Sequence, residues 1–131
     1  MSKDFLDIKM TGFDEKASRP VEQGSPIFRM LIDLSGAAPS EWAQYFNQRW
    51  SQHFYMRKRR AHVSGNSLTI ECVPDELERD HIPELKKVIA ETNAAYAKYH
   101  AQRQQERAEE EAKKASDSEK LAQIKKTIKF D

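Results

Sequence analysis

The residues best suited to chemistry lie between positions 49 and 84. Arg49, Arg57, Lys58, Arg59 and Arg60 place five positive charges in a stretch without an acid between Glu41 and Glu71, with His53, Phe54, Tyr55 and His62 interleaved. Basic side chains mixed with rings are what a single-stranded nucleic acid needs, because charge tracks the phosphates while rings stack on bases. On a strand, alternate residues point to opposite faces. Only Lys58, Arg60 and His62 then share an outer face. Together with Arg57 they form a candidate patch for an anionic ligand, nucleic acid above all. A solvated sheet face accounts for the same residues without any ligand.

An acidic stretch follows, with Glu71, Asp75, Glu76, Glu78, Asp80 and Glu84 opposed only by Arg79. Dense carboxylates can hold a hard cation. The spacing of a calcium loop is absent, however, and Asp80 and Glu84 suit a helix start, where acids favour the dipole. Capping, solubility and neutralisation of the basic run explain this stretch without a metal. Glu78-x-x-His81 matches one half-motif of a di-iron bundle, but such a site needs two copies and two further glutamates. His53, His62, His81 and His100 show no metal-binding spacing, so neither a metal nor a cofactor is expected. Cys72 could act as a nucleophile beside a histidine base; its strand position puts it on the apolar face, away from His62, as a buried thiol. No glycine is followed by lysine, and no G-x-S-x-G elbow occurs. No catalytic residue is assigned, and the sequence points away from an enzyme.

The remaining candidates stand near the end of the chain. Leu121, Ile124 and Ile128 recur at helical spacing with Phe130 close behind, after an S-x-x-E capping box at Ser116. An apolar face on an otherwise polar segment calls for a packing partner. It folds back on its own domain, enters a groove on another protein, or stays disordered. The polar spacer before it spans roughly 22 Å if helical, which favours presentation to a partner. Lys125, Lys126 and Lys129 are few for membrane binding.

The elements that must position these residues follow from periodicity. Alternation over 5–13 and 27–34 predicts two strands, the second the more central, joined by a long loop at 14–26. Pro39 or Ser40 opens a helix to about 52–54, with Trp42, Tyr45, Phe46, Trp50 and Phe54 as its stripe. Residues 56–63 and 68–73 flank Gly65-Asn66 and predict a two-residue hairpin, pairing Val63 with Leu68, Ala61 with Ile70, Arg59 with Cys72, His62 with Thr69 and Arg60 with Glu71. A turn or short helical piece covers 75–79. A long helix starts near Asp80, with Ile82, Leu85, Ile89, Tyr96 and Tyr99 inward, and continues through a polar run at 100–115 that lacks coiled-coil heptads.

The expected fold is therefore α+β: a two-layer ββαββα domain at 1–100 with a mostly antiparallel four-stranded sheet, then a charged helical extension with an amphipathic tail at 101–131. The whole chain has 131 residues, with 22 basic and 21 acidic side chains and a net charge of +1. That balance argues against a dedicated polyanion binder. One cysteine excludes an internal disulfide. The first residues show no leader pattern, so a cytoplasmic protein is expected. The functional expectation is a small non-enzymatic interaction module (an adaptor, inhibitor or regulatory subunit) that uses its α+β domain and its tail. The alternative is a nucleic-acid-binding protein acting through residues 57–60.

Overall fold

The computed structural model describes residues 5–130; residues 1–4, read above for a leader, and residue 131 lie outside the described residues. The chain divides into a unit Phe5–Ala97 and a second unit that includes residues 98–130.

In the first unit, apolar–polar alternation produces an antiparallel sheet. Its strands are β1 (Met10–Phe13), β2 (Arg19–Pro20), β3 (Phe28–Leu34), β4 (Ala61–Ser64) and β5 (Ser67–Cys72), in the order β1-β3-β5-β4, with β2 also paired to β3. The centre is β3, which buries Met30, Ile32 and Leu34 and turns Arg29 and Asp33 to solvent. β2 is an addition to the expected four strands. It forms because Ser18 ties the long loop to the sheet: its hydroxyl donates to Asp14 O at 2.7 Å and accepts from Leu31 N–H at 3.0 Å. Arg19 then faces Arg29, and Pro20 faces Phe28.

The expected first strand is shortened. Leu6 is 81% exposed, and pairing starts only at Met10, with a register shift before Gly12. Buried Ile8 is held by a side chain instead of a strand. Its N–H donates to Asn93 Oδ1, and its carbonyl accepts from Asn93 Nδ2, each at 2.9 Å. The same Oδ1 accepts from Trp42 Nε1 at 2.9 Å. One buried amide thus satisfies three groups that would otherwise be orphaned.

Helix α1 (Ser40–Gln52) follows Pro39 and buries Trp42, Phe46 and Trp50, whose rings stack at centroid distances of 5.8 and 6.0 Å. Phe54 leaves this stripe and is 85% exposed, because the helix stops at Gln52 and His53 is extended. The hairpin has the expected register: Val63 pairs with Leu68, His62 with Thr69 and Ala61 with Ile70. Gly65 takes φ 60° at its tip. Its first strand is again shorter than expected. Arg57 adopts φ 65° in a turn closed by Lys58 N–H donating to Tyr55 O at 3.3 Å, so pairing begins at Ala61. The basic run is a loop, not a strand.

The last helix also starts earlier than Asp80. Val73 is extended, Pro74 occupies the first turn of α2 (Pro74–Glu76), and a π-helical turn at Leu77–His81 leads into α3 (Ile82–Thr127). Proline fits there because its missing N–H has no helical partner to lose. Leu85, Val88, Ile89, Thr92, Asn93 and Tyr96 are buried. With α1 they complete a core opposite the solvent-facing side of the sheet. In the second unit α3 runs unbroken to Thr127, so the Ser116 capping box lies inside a continuous helix and starts nothing. Every residue from 105 to 130 is exposed. Among the described residues no helix is long and apolar enough to cross a membrane.

Candidate functional site

The π turn creates the most connected polar group in the first unit. In an α-helix, neighbours on one face are three or four residues apart. The wider i→i+5 repeat of a π turn brings Glu76 beside His81. Glu76 Oε2 lies 3.2 Å from His81 Nε2, and His81 Nδ1 lies 2.7 Å from Tyr55 Oη. Arg59 closes the chain with a two-pronged contact to Glu76, Nε to Oε2 at 3.3 Å and Nη2 to Oε1 at 3.1 Å. His81 is fully buried. The Glu76 carboxylate accepts from Nε2–H, and the other ring nitrogen is hydrogen-bonded to the tyrosine hydroxyl.

The electrostatics agree with that assignment. The Arg59 contact holds Glu76 below the ordinary carboxylate range, with His81 adding to the effect. Burial pushes the Tyr55 hydroxyl up to about 12, so it stays a donor. Burial also pushes the Cys72 thiol up to about 11, which leaves little thiolate to act as a nucleophile. The chain therefore fastens the loop 53–60 to the start of the last helix. In the sequence, the histidine's one motif-like neighbour is Glu78, three residues before it. Instead Glu78 is exposed, and Glu76, five residues before the histidine, is its partner. Among the described residues no group of three or more metal-ligating side chains is placed to hold an ion.

The four residues of the basic patch are separated by the loop. Arg57 Nη1 lies 3.8 Å from Asp80 Oδ2. The Lys58 ammonium donates to Trp50 O and sits 5.6 Å from the Trp50 ring centroid. Burial lowers its proton affinity. Arg60 and His62 remain exposed on the outer side of the sheet. Arg60 stands beside Glu71, whose N–H donates to Arg60 O at 3.0 Å, but the Glu71 carboxylate is turned to Arg29, with Oε1 3.6 Å from Arg29 Nη2. Acids of 71–84 are met one by one: Glu76 by Arg59, Glu71 by Arg29 from the central strand, and Asp80 by Arg79 at 2.8 Å with Arg57 farther off at 3.8 Å. His53 Nε2 lies 3.5 Å from Glu84 Oε1 without hydrogen-bond geometry.

In the second unit the four tail residues stay on the surface. Leu121 is 67%, Ile124 52%, Ile128 47% and Phe130 87% exposed. The helical turn continues past Thr127, since Ile128 N–H donates to Ile124 O at 2.9 Å. Leu121, Ile124 and Ile128 therefore share one face. A separate groove of about 490 Å³ in the first unit is lined by Ile8, Met10, Ile89, Ala90, Ala94 and Ala97, among others. It contains none of the candidate partner-binding or anion-binding residues read from the sequence.

The fold and these surfaces define an α+β unit with an ionic clasp, one open sheet face and an exposed amphipathic helix. Comparison with protein-family models, with curated proteins and with solved structures gives no match.

Proposed function

We propose that this chain is a small non-enzymatic interaction module, an adaptor, inhibitor or regulatory subunit, that docks its amphipathic segment into an apolar groove on a partner protein. The observation that carries the proposal is the exposure of Leu121, Ile124 and Ile128 on one face of a continuous helix, with Phe130 just beyond it. Such a stripe is the ligand half of helix-in-groove recognition. Fully burying an exposed side chain of this kind contributes up to about 1.5–3 kcal/mol, so the stripe is the main source of binding energy the segment can offer against the entropy of association. Lys120, Lys125, Lys126 and Lys129 surround the stripe, and no acid occurs from 120 to 130. The complementary groove is therefore rimmed with carboxylates. The α+β unit supplies a second contact surface.

The test is affinity capture with the full chain and with an I124D/I128D variant, followed by titration of each purified captured protein with a labelled peptide of residues 116–131. The proposal expects a nuclease-resistant partner that binds the peptide saturably, and at least about tenfold more weakly after substitution, the equivalent of 1.4 kcal/mol. Identical capture by both baits, or a partner indifferent to the peptide, rejects it.

A further inference from the structure

One row of the sheet's open face carries more positive charge than folding requires. The register sets Arg19 opposite Arg29, Arg29 opposite Glu71, and Glu71 beside Arg60. Arg29, Glu71 and Arg60 point away from the core, since their strand neighbours Met30, Ile70, Cys72 and Ala61 are buried, and Arg19 shares their face as the cross-strand partner of Arg29. At about 4.8 Å between strands the row is roughly 14 Å long. It holds three guanidinium groups against one carboxylate, and that carboxylate is taken by Arg29. Arg19 and Arg60 have no carboxylate partner among the described residues. Like charges directly opposite each other destabilise a sheet, so the Arg19–Arg29 pair works against the fold that displays it. A local rule broken without structural gain marks a site kept for another purpose.

The rest of the face indicates the occupant. The next row is Leu31, Thr69 and His62, with no acid; the one beyond is Asp33, Ser67 and Ser64. Charge therefore falls from basic to acidic along the strands. An anionic polymer lies across them, over the first row, with the uncharged second row beside it. Guanidinium forks match phosphate oxygens in paired hydrogen bonds. A flat ledge of Leu31, Thr69 and a histidine ring offers a surface for planar bases. We infer that this face, through Arg19, Arg29 and Arg60 with His62, binds the sugar–phosphate backbone of single-stranded nucleic acid. It shares Arg60 and His62 with the patch expected from sequence but leaves out the loop residues Lys58 and Arg59, which are committed to Trp50 and Glu76. It is also independent of the tail.

The experiment is fluorescence anisotropy of the full chain with a short labelled oligouridylate at increasing salt. Three phosphate contacts give a slope of log affinity against log salt of about −2. Substitution of all three residues (R19Q/R29Q/R60Q) weakens low-salt binding by about tenfold or more. E71Q, which removes the opposing charge, tightens it several-fold, a gain that misfolding cannot mimic. R49Q, which removes a charge from α1, leaves it unchanged. Flat titrations at low salt overturn the inference. So does equal loss from R49Q, or competition by polyglutamate as effective as unlabelled oligonucleotide, which would mark a surface for acidic protein.

Discussion

Glu76 and Arg59 show how single residues set the behaviour of this unit. Arg59 holds the Glu76 carboxylate below its ordinary range, and His81 donates to the same oxygen pair. A glutamate whose folded value is depressed contributes stability that is complete above its unfolded value, about 4.3. That contribution is lost as pH falls through the folded value, because the unfolded chain takes up the proton first. Thermal melts stepped downward from neutral pH will therefore show unfolding temperatures that decline below about pH 4.3. In E76Q that part of the slope disappears, and the neutral-pH melting temperature is lower than in the wild type. Unchanged melts at both ends would mean that the clasp contributes nothing. Asn93 is the other residue on which much depends, since it serves both Ile8 and Trp42. A polar residue four positions after Ile89 and three before Tyr96, inside an apolar stripe, was a signal available in the sequence.

Among the elements, the hairpin is the one most dependent on a single backbone angle. Gly65 takes φ 60°, and a β-carbon there would meet nothing within 4 Å, so a substitution is opposed only by the backbone. G65A should destabilise the protein by about 1–2 kcal/mol, while G65N should recover most of that, because asparagine tolerates the left-handed region. Urea denaturation of the three proteins measures the difference. The register of this hairpin was legible in the sequence, since apolar alternation allows only one, although its first arm begins at Ala61 and not at the expected residue 56. Helix α1 and the centrality of β3 were legible for similar reasons. The loop 53–60 was not. Its residues alternate well enough for a strand, and only the left-handed Arg57 and the pull of Trp50, Tyr55 and Glu76 on its side chains break the pairing. The two-residue β2 rests on the Ser18 hydroxyl, a long-range bond with no periodic trace. On the open face, Arg60 and His62 keep the side the alternation predicts, whereas the row that joins them to Arg19 and Arg29 depends on strand pairings the local pattern does not reveal.

At the scale of the molecule, the two units differ in what holds them. The first has a buried core that runs from Ile8 to Tyr96. In the second, the helix from 105 onward buries no side chain. It relies on alanine, glutamate, lysine and arginine, whose helix propensity is high, and on pairs such as Arg103 with Glu106. Removing residues 116–131 should leave the unfolding free energy of the first unit within about 0.5 kcal/mol of the full chain. Calorimetry of both forms reads this directly, and a larger drop would show that the tail packs.

The π turn has a consequence for how the last helix is counted. A regular helix advances 100° per residue, so inside α3 the buried positions can be found by adding three or four to any one of them. That arithmetic fails across Leu77–His81. The segment holds one residue more than the regular ladder would admit, and the azimuth of Pro74–Glu76 is displaced by that residue relative to everything after Ile82. A chain one residue shorter here would close into an unbroken α-helix and would be locally the better helix. Its Glu76 would then stand four positions before the histidine, while every residue upstream, including β5, would be turned out of phase with the core. Local regularity and the global fold make opposite demands on this turn, and the global fold prevails.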